Sequence, residues 1–573
     1  MADCATRTRA WIEGDPDSRT RAELSALLDA HEMDALADRM DGMLEFGTAG
    51  LRGAVEAGSN RMNRATVILA TAGLAEHFIT ITDPEDRFVV IGRDARPSSQ
   101  TFMDDALGVL TAAGFRVAYF TDPTPTPLVA YAGLSLGACA SIVITASHNP
   151  PADNGYKVYG ASGIQIVSPT DGEIAERIEA VGPANEVPRV LDPYAHPDVQ
   201  RIGPDLFEGY LRSVASVLPT VTGDRGISIV YTAMHGVGGR SVTEALRRFG
   251  FKRVHPVARQ FTPDGTFPTL SFPNPEEPGA LDLAHELALA IDADLVLAND
   301  PDADRLAVSV PVPGDLWTPL SGNQIGCLLA EFLLKHGEGG DRTVVNSVVS
   351  TPMLGSIAES HGVTWRQSLT GFKWIWNAAL DLEDEGYGSP VLGFEEALGY
   401  SVGASVRDKD GISAAVAFAL LAAEAASEGE TVLDRLGDLY RAYGIWVSTQ
   451  VSIRRDGPDG ADEIAAALTR LRGEPPTSIA GTPVEGVTDY LVGADDRPRY
   501  LGATNLIQLD LGEAGRVLAR PSGTEPKLKV YVDLTASFPD NGDWPGTERA
   551  LSERAVVVGE SLAAWLEEAM AST

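Results

Sequence analysis

The chain has 573 residues, 44% of them hydrophobic and 22% charged, and a formal net charge of −35. At about 100–200 residues per domain, that length predicts about three to five domains of a folded, soluble protein. The acidity argues against a nucleic-acid partner and against an anionic membrane, whose phosphates require a basic surface, and it is read as solubility. Cys4, Cys139 and Cys327 are odd in number and scattered, which fits reduced thiols in a cytoplasm better than a disulfide framework or a zinc site. The amino-terminal stretch MADCATRTRAWIEGD has no apolar segment of the kind a cleaved export signal needs.

In chain order, short β-branched runs end in Gly, Pro, Asp or Ser clusters and give way to Ala/Leu-rich helical stretches. Phe88 to Ile91 leads into Gly92-Arg93-Asp94-Ala95-Arg96-Pro97, and Ser141 to Ile144 into Thr145-Ala146-Ser147-His148-Asn149-Pro150. Ile227 to Tyr231 leads into Met234-His235-Gly236-Val237-Gly238-Gly239, Asp294 to Ala298 into an acidic loop, and Thr343 to Val349 into Ser350-Thr351-Pro352. Such strand-loop-helix units without a precise repeat predict several α/β domains of similar plan. Ile412 to Ala423, the most apolar stretch, is too short to span a bilayer and is flanked by Asp410 and Glu424, so it predicts a buried helix. Beyond about residue 445 strand-like runs (Ile445 to Ile453, Asn505 to Leu509, Leu528 to Leu534) beside Ala/Leu helices predict a smaller α+β domain. The expected domains are 1–205, 206–318, 319–445 and 446–573.

Three segments carry chemistry. Ser147 should sit at a strand's carboxyl end, where open α/β sheets bind ligands, although the same residues also make an ordinary turn. Asp300-Pro301-Asp302-Ala303-Asp304-Arg305 sets carboxylates at i, i+2 and i+4 on a tight loop. They can converge on a hard cation such as Mg²⁺; the alternative is a solvated acidic turn. In Arg520-Pro521-Ser522-Gly523-Thr524-Glu525-Pro526-Lys527, freed backbone N–H groups and two hydroxyls can cradle a phosphate while Arg520 supplies a bidentate fork. Only seven lysines occur, at 157, 252, 335, 373, 409, 527 and 529, and five fall inside Gly- or Pro-punctuated motifs. Further loops present Arg52 (Gly47 to Gly53), Lys157 (Asn154 to Lys157), Lys373 (Leu369 to Lys373) and Lys409 (Asp408 to Gly411).

With these residues in order, the chain resembles the α-D-phosphohexomutase superfamily of phosphoglucomutases, phosphomannomutases and phosphopentomutases. The resemblance rests on GTAGLRG (47–53), TASHNP (145–150), DPDADR (300–305), GFEEALGY (393–400) and RPSGTEPK (520–527), and is strongest to the longer phosphopentomutase-like branch. It implies four domains around a central active-site cleft, three similar mixed α/β domains and a smaller C-terminal α+β domain. It implies a cytoplasmic, Mg²⁺-dependent enzyme in which Ser147 is carried as a phosphoserine and the metal bridges its phosphate to Asp300, Asp302 and Asp304. Phosphoryl would move between the 1- and 6-positions of a hexose through a sugar bisphosphate such as glucose 1,6-bisphosphate, which also serves as activator. Ser147, His148, Lys157 and Arg52 are the implied catalytic residues, with Lys157 as the proton-transfer residue. Arg305, Thr370, Gly371, Lys373, Glu395, Glu396 and Lys409 would bind substrate, and Arg520, Ser522, Gly523, Thr524 and Lys527 its distal phosphate.

Two departures bear on the sugar and the acid-base group. Many relatives follow the glutamate of the sugar loop with a serine two residues on, whereas Glu395 is followed by Ala397, which leaves ribose or deoxyribose phosphates open. Phe372 and Tyr400 stand where bacterial relatives carry histidines. The alternatives are therefore a phosphopentomutase, a sugar-1,6-bisphosphate synthase, a metal-dependent sugar phosphatase or a non-catalytic sugar-phosphate binder. The expected partner is a small sugar phosphate, and the expected state a monomer or dimer.

Overall fold

The computed structural model describes residues 2–45, 50–221, 225–314, 316–337, 341–455, 460–522 and 527–571. These form two compact units, one of Met1–Leu320 with Gly399–Ala423, the other of Ser321–Leu398 with Glu424–Thr573.

The first unit begins with helices Ala2–Gly14, Ser18–Asp29 and Met33–Arg39, which share a small core around Leu24, Leu36 and Met40. Six strands follow: β1 (Leu51–Ala54), β2 (Phe88–Arg93), β3 (Arg116–Tyr119), β4 (Ala140–Ile144), β5 (Asp153–Gly160) and β6 (Val199–Arg201). Their order is β1-β5-β4-β2-β3-β6, with β4, β2, β3 and β6 parallel and β5 and β1 antiparallel. All of β4 is buried, which explains why it is apolar apart from Ser141. Helix Arg64–Ile81, capped by the Asn63 side chain, is by itself the one described helix long and apolar enough to cross a membrane, and most of it is buried in this core. A second mixed sheet holds β7 (Ile229–Thr232), β8 (Val254–Pro256), β9 (Leu295–Ala298), β10 (Ala307–Val312) and β11 (Leu316–Pro319), in the order β11-β10-β9-β7-β8. Here β8, β7 and β9 are parallel, while β10 and β11 run antiparallel. In both sheets the carboxyl ends of parallel strands deliver the motif loops.

The second unit opens with helix Gly322–His336, started by a capping box between Ser321 and Gln324. Its parallel strands β12 (Arg342–Ser347), β13 (Thr364–Ser368) and β14 (Ser389–Glu395) pair as β13-β12-β14. The chain then returns to the first unit with β15 (Gly399–Val402) and the helix starting at Gly411, in which Ile412 to Ala423 are buried throughout, as the sequence predicts. Back in the second unit come β16 (Ile445–Arg454), β17 (Ser478–Ile479), β18 (Thr482–Pro483), β19 (Gly486–Asp489), β20 (Ile507–Asp510), β21 (Gly515–Pro521) and β22 (Lys527–Ala536). An antiparallel sheet in the order β16-β22-β21-β20-β19 packs against helices Gly460–Gly473 and Trp544–Ala571. Three α/β sheets of similar plan thus precede a smaller α+β domain, which is the predicted fold class.

Candidate active site

In the first unit, the loop after β4 turns sharply at Ser147, whose φ of 52° lies in the left-handed region that non-glycine residues rarely adopt. The strained turn is held from outside by Arg96, a buried arginine after β2. Its guanidinium donates to the carbonyls of Ser147 (2.8 Å), Asn149 (2.7 Å), Pro150 (2.6 Å) and Asp153 (2.8 Å), and its Nε to Asp94 (3.2 Å). Phe267 lies against the guanidinium face, 5.2 Å to the ring centroid. The turn therefore has one conformation set by a fork that a lysine does not reproduce.

The Ser147 hydroxyl lies 2.7 Å from Asp300 Oδ2 and 3.1 Å from His148 Nδ1. A hydroxyl has one proton, so donation to the carboxylate leaves His148 Nδ1–H as the donor of the second contact. The His148 pKa is pushed well below its ordinary value by burial and then by the charges of Arg305 and Arg52, so the ring is neutral at pH 7.

Asp300, Asp302 and Asp304 follow β9, are buried, and offer oxygens within 4.8 Å of one another. Ala303 between them has a φ of 57°. The loop interlocks with the turn after β7: Val237 N–H donates to the Pro301 carbonyl (2.8 Å), and a Cβ on Gly236 would stand 2.4 Å from Pro301 Cα. Burial and the two neighbouring carboxylates push Asp300 well up, while Asp302 is held down against burial by Lys157 and Thr126. Asp302 Oδ1 and Asp304 Oδ1 are buried and accept no hydrogen bond among the described residues. Two orphaned carboxylate oxygens in a triad of closely spaced hard oxygen donors fit an oxygen-loving divalent cation.

Cations ring this triad. Lys157, buried on β5, donates to Asp302 Oδ2 (2.7 Å) and Asp304 Oδ2 (2.8 Å). Burial alone would lower its pKa, but the two aspartates outweigh that and the net direction is up, so it is an ammonium. Lys409 Nζ lies 3.3 Å from Asp304 and 3.2 Å from Asp408, whose carboxylate also accepts from Tyr159 (2.6 Å) and Gln165 (2.6 Å). Arg52, on β1 opposite Gly155, interacts electrostatically with Asp302 and Asp304. Arg305 donates its backbone N–H to Asp300 (3.1 Å) and points its guanidinium towards Glu276. Ser147, His148, Lys157, Lys409, Arg52, Arg305 and the three aspartates, widely separated in sequence, are thus brought together. Arg96 and Thr126, whose hydroxyl donates to Asp302 (2.7 Å), belong with them but carry no motif of their own, as do Tyr159 and Gln165 on Asp408.

The second unit gathers the other predicted residues. Glu395 at the end of β14 accepts from the Gly371 N–H (2.7 Å), and Gly371, at a φ of 112°, precedes helix Phe372–Asp384. Thr370 and Lys373 flank that turn. Glu396 is engaged by protein: Oε2 accepts from Ser347 (3.1 Å) and Ser350 (2.9 Å), and its N–H donates to Ser350 Oγ (3.0 Å). Arg520 pairs with Lys529 across β21 and β22, and Lys527 with Arg454 across β22 and β16, so four cations line one end of this sheet. The Ser522 N–H donates to the Lys527 carbonyl (2.7 Å). Gly523 and Thr524, like Gly47 to Ala49 of the first motif, lie outside the described residues.

Comparison with known proteins agrees with this geometry. Profiles described as phosphoglucomutase/phosphomannomutase alpha/beta/alpha domains I, II and III match residues 43–184, 208–313 and 321–443, and the C-terminal domain profile matches 488–537. A probable phosphomannomutase of Haemophilus influenzae is 41% identical, over 84% of this chain and 95% of that protein. A probable phosphoribomutase of Schizosaccharomyces pombe is 37% identical, over 91% and 92%. The crystal structure of a putative phosphomannomutase from Thermus thermophilus shares the fold, with a TM-score of 0.65 at 23% identity, over 90% of this chain and 99% of that one. The chain belongs to the phosphoglucomutase/phosphomannomutase family, the α-D-phosphohexomutases, and is an intramolecular phosphotransferase of sugar phosphates.

Proposed function

We propose that this enzyme moves a phosphoryl group between the 1- and 6-positions of a hexose phosphate, with Ser147 as resident phosphodonor and a sugar bisphosphate as intermediate and activator. The observation that carries the reading is the Ser147 hydroxyl, buried and 2.7 Å from Asp300 in a carboxylate triad ringed by Lys157, Lys409 and Arg52. Asp300, Asp302 and Asp304 would hold Mg²⁺, which when bound withdraws charge from the oxygens of the transferring phosphate.

In the first half-reaction a sugar hydroxyl attacks the phosphorus carried by Ser147, the bond from phosphorus to Ser147 Oγ breaks, and a proton must reach the departing Oγ. In the second, the Ser147 hydroxyl attacks the other phosphate of the bisphosphate, the bond from phosphorus to the sugar oxygen breaks, and a proton must reach that sugar oxygen. Lys157, held as an ammonium, suits that donor role, and Lys409 and Arg52 offset the negative charge that builds up. His148 orients the serine, and Arg96 fixes the turn that presents it. Glu395 binds sugar hydroxyls, with Thr370, Gly371 and Lys373 around it, while Glu396, tied to Ser347 and Ser350, supports the turn. Arg520, Ser522, Gly523, Thr524 and Lys527 hold the distal phosphate. Buried, unpaired cysteines fit a cytoplasmic enzyme.

A second reading is favoured by Ala397, which gives the sugar loop no hydroxyl two residues after Glu395: the 1- to 5-phosphate exchange of ribose or deoxyribose, the class named in the fission-yeast relative. A panel of glucose, mannose, glucosamine, ribose and deoxyribose 1-phosphates, run with Mg²⁺ and a bisphosphate activator, tests both. The expected result is isomerised sugar phosphate with a hexose preferred. A pentose preference replaces the first reading by the second, and stoichiometric release of free phosphate contradicts a mutase.

A further inference from the structure

In the second unit, Arg516 is a buried cation in the interior, away from the end of β21 where Arg520 stands. The two arginines are four residues apart on one strand and so share a face. Arg516 Nε donates to Asp533 Oδ2 (2.9 Å), and Nη2 donates to the carbonyl of Ser350 (2.7 Å) in the loop after β12. Ser350 Oγ in turn donates to Glu396 Oε2 (2.9 Å) and accepts the Glu396 N–H (3.0 Å). A second path reaches the same loop: Asp533 Oδ1 accepts from Ser448 (2.6 Å), Ser448 accepts from Asn323 (2.8 Å), and Asn323 accepts the Thr351 N–H (3.0 Å). The hydrogen bonds therefore close a ring through the adjacent residues Ser350 and Thr351. Beside it, Val348 and Val349 pack on Leu518 and Tyr531 of the phosphate-loop sheet.

A buried ion pair is a poor source of stability, since well-packed apolar residues of similar volume often do as well. What a guanidinium supplies in such a place is geometry, because its planar fork binds two acceptors at fixed angles. Here the guanidinium, itself on the strand that carries Arg520, holds Asp533 of β22 with one arm and with the other the loop that fixes Glu396, the neighbour of Glu395.

We infer that Arg516 is a positioning residue that locks the phosphate-loop strand to the Glu395–Glu396 turn, so that distal phosphate and sugar hydroxyls are recognised as one rigid pair. The inference rests on the assignment of Arg520 and Glu395 to substrate proposed above. It predicts energetic coupling between Arg520, on the strand of Arg516, and Glu395, the neighbour of the Glu396 that the Ser350 loop holds.

The test is a double-mutant cycle of Glu395→Gln and Arg520→Met, read as kcat/KM on the best substrate of the panel, in the wild type and in Arg516→Lys. In the wild type the double variant should depart from the product of the single losses by about five- to tenfold. In Arg516→Lys, which keeps a charge beside Asp533 but gives up the fork, the losses should multiply to within about twofold. Ser350→Ala, which leaves the carbonyl bound by the guanidinium but removes the hydroxyl that ties this loop to Glu396, should abolish the coupling as well, and it serves as the test if Arg516→Lys lowers the unfolding midpoint below the assay temperature. A purely structural Arg516 would lower stability and leave the coupling intact. Coupling that persists in both variants, or is absent from the wild type, overturns the inference. If neither Glu395→Gln nor Arg520→Met alone changes kcat/KM, the substrate assignments themselves fail, which is a distinct outcome.

Discussion

Ser147 depends on a residue that no motif announces. Arg96 donates to four carbonyls of the serine turn while its own Nε is held by Asp94, and both side chains are almost wholly buried. Arg96→Lys keeps the charge but can satisfy only some of these acceptors, leaving buried carbonyls without donors. The expected cost is about 2–4 kcal/mol of stability, with kcat lowered about 10- to 100-fold because the left-handed turn at Ser147 is no longer held. Thermal unfolding and steady-state kinetics on the purified variant check the two effects separately. The sequence contains Arg96 in a loop after a recognisable strand, yet its partners lie 51 to 57 residues away, beyond the reach of any local pattern. The same holds for Thr126 on Asp302, 176 residues apart. By contrast the three aspartates are legible because alternate residues on a tight loop converge by covalent geometry alone.

Among the elements, buried strands such as β4 and β9 were the most readable, since a strand covered on both faces leaves a nearly continuous apolar run. The mirror case is Glu396, adjacent to Glu395 and chemically identical to it. Only the fold shows that the Glu396 carboxylate accepts from Ser347 and Ser350 while that of Glu395 accepts from the Gly371 N–H, because the direction of a side chain at a strand end is set by neighbours distant in sequence. Helix Arg64–Ile81 supplies a pH-dependent term that its sequence does not suggest. His77 on this helix is buried, neither ring nitrogen has a hydrogen-bond partner among the described residues, and burial lowers its pKa despite the nearby charge of Glu173. A histidine whose folded pKa lies below its unfolded value binds fewer protons folded than unfolded. It costs nothing well above the unfolded value of about 6.5 and destabilises as pH falls through it. His77→Leu should therefore gain on the wild type as pH drops from about 7.5 to about 5.5 in paired thermal melts. A constant difference across that range would show that His77 titrates alike in both states.

At the scale of the whole molecule, the net charge of −35 sets the electrostatic problem that the site solves. In the proposed mechanism a phosphoserine and a second phosphate would bring several negative charges towards three carboxylates in an already acidic protein. The chain answers with scarce cations placed locally: Lys157, Lys409 and Arg52 around the triad in one unit, and Arg520, Lys527, Lys529 and Arg454 at one end of a sheet in the other. The most direct measurement of the central claim follows the phosphate itself. Enzyme is charged with a sugar bisphosphate labelled in both phosphates, isolated, and chased with unlabelled sugar monophosphate in the presence of Mg²⁺. The account predicts one labelled phosphate per chain, on Ser147, transferred to the sugar on the chase, with no label and no isomerisation in Ser147→Ala. A fully active Ser147→Ala variant, or label released to water instead of sugar, would contradict it.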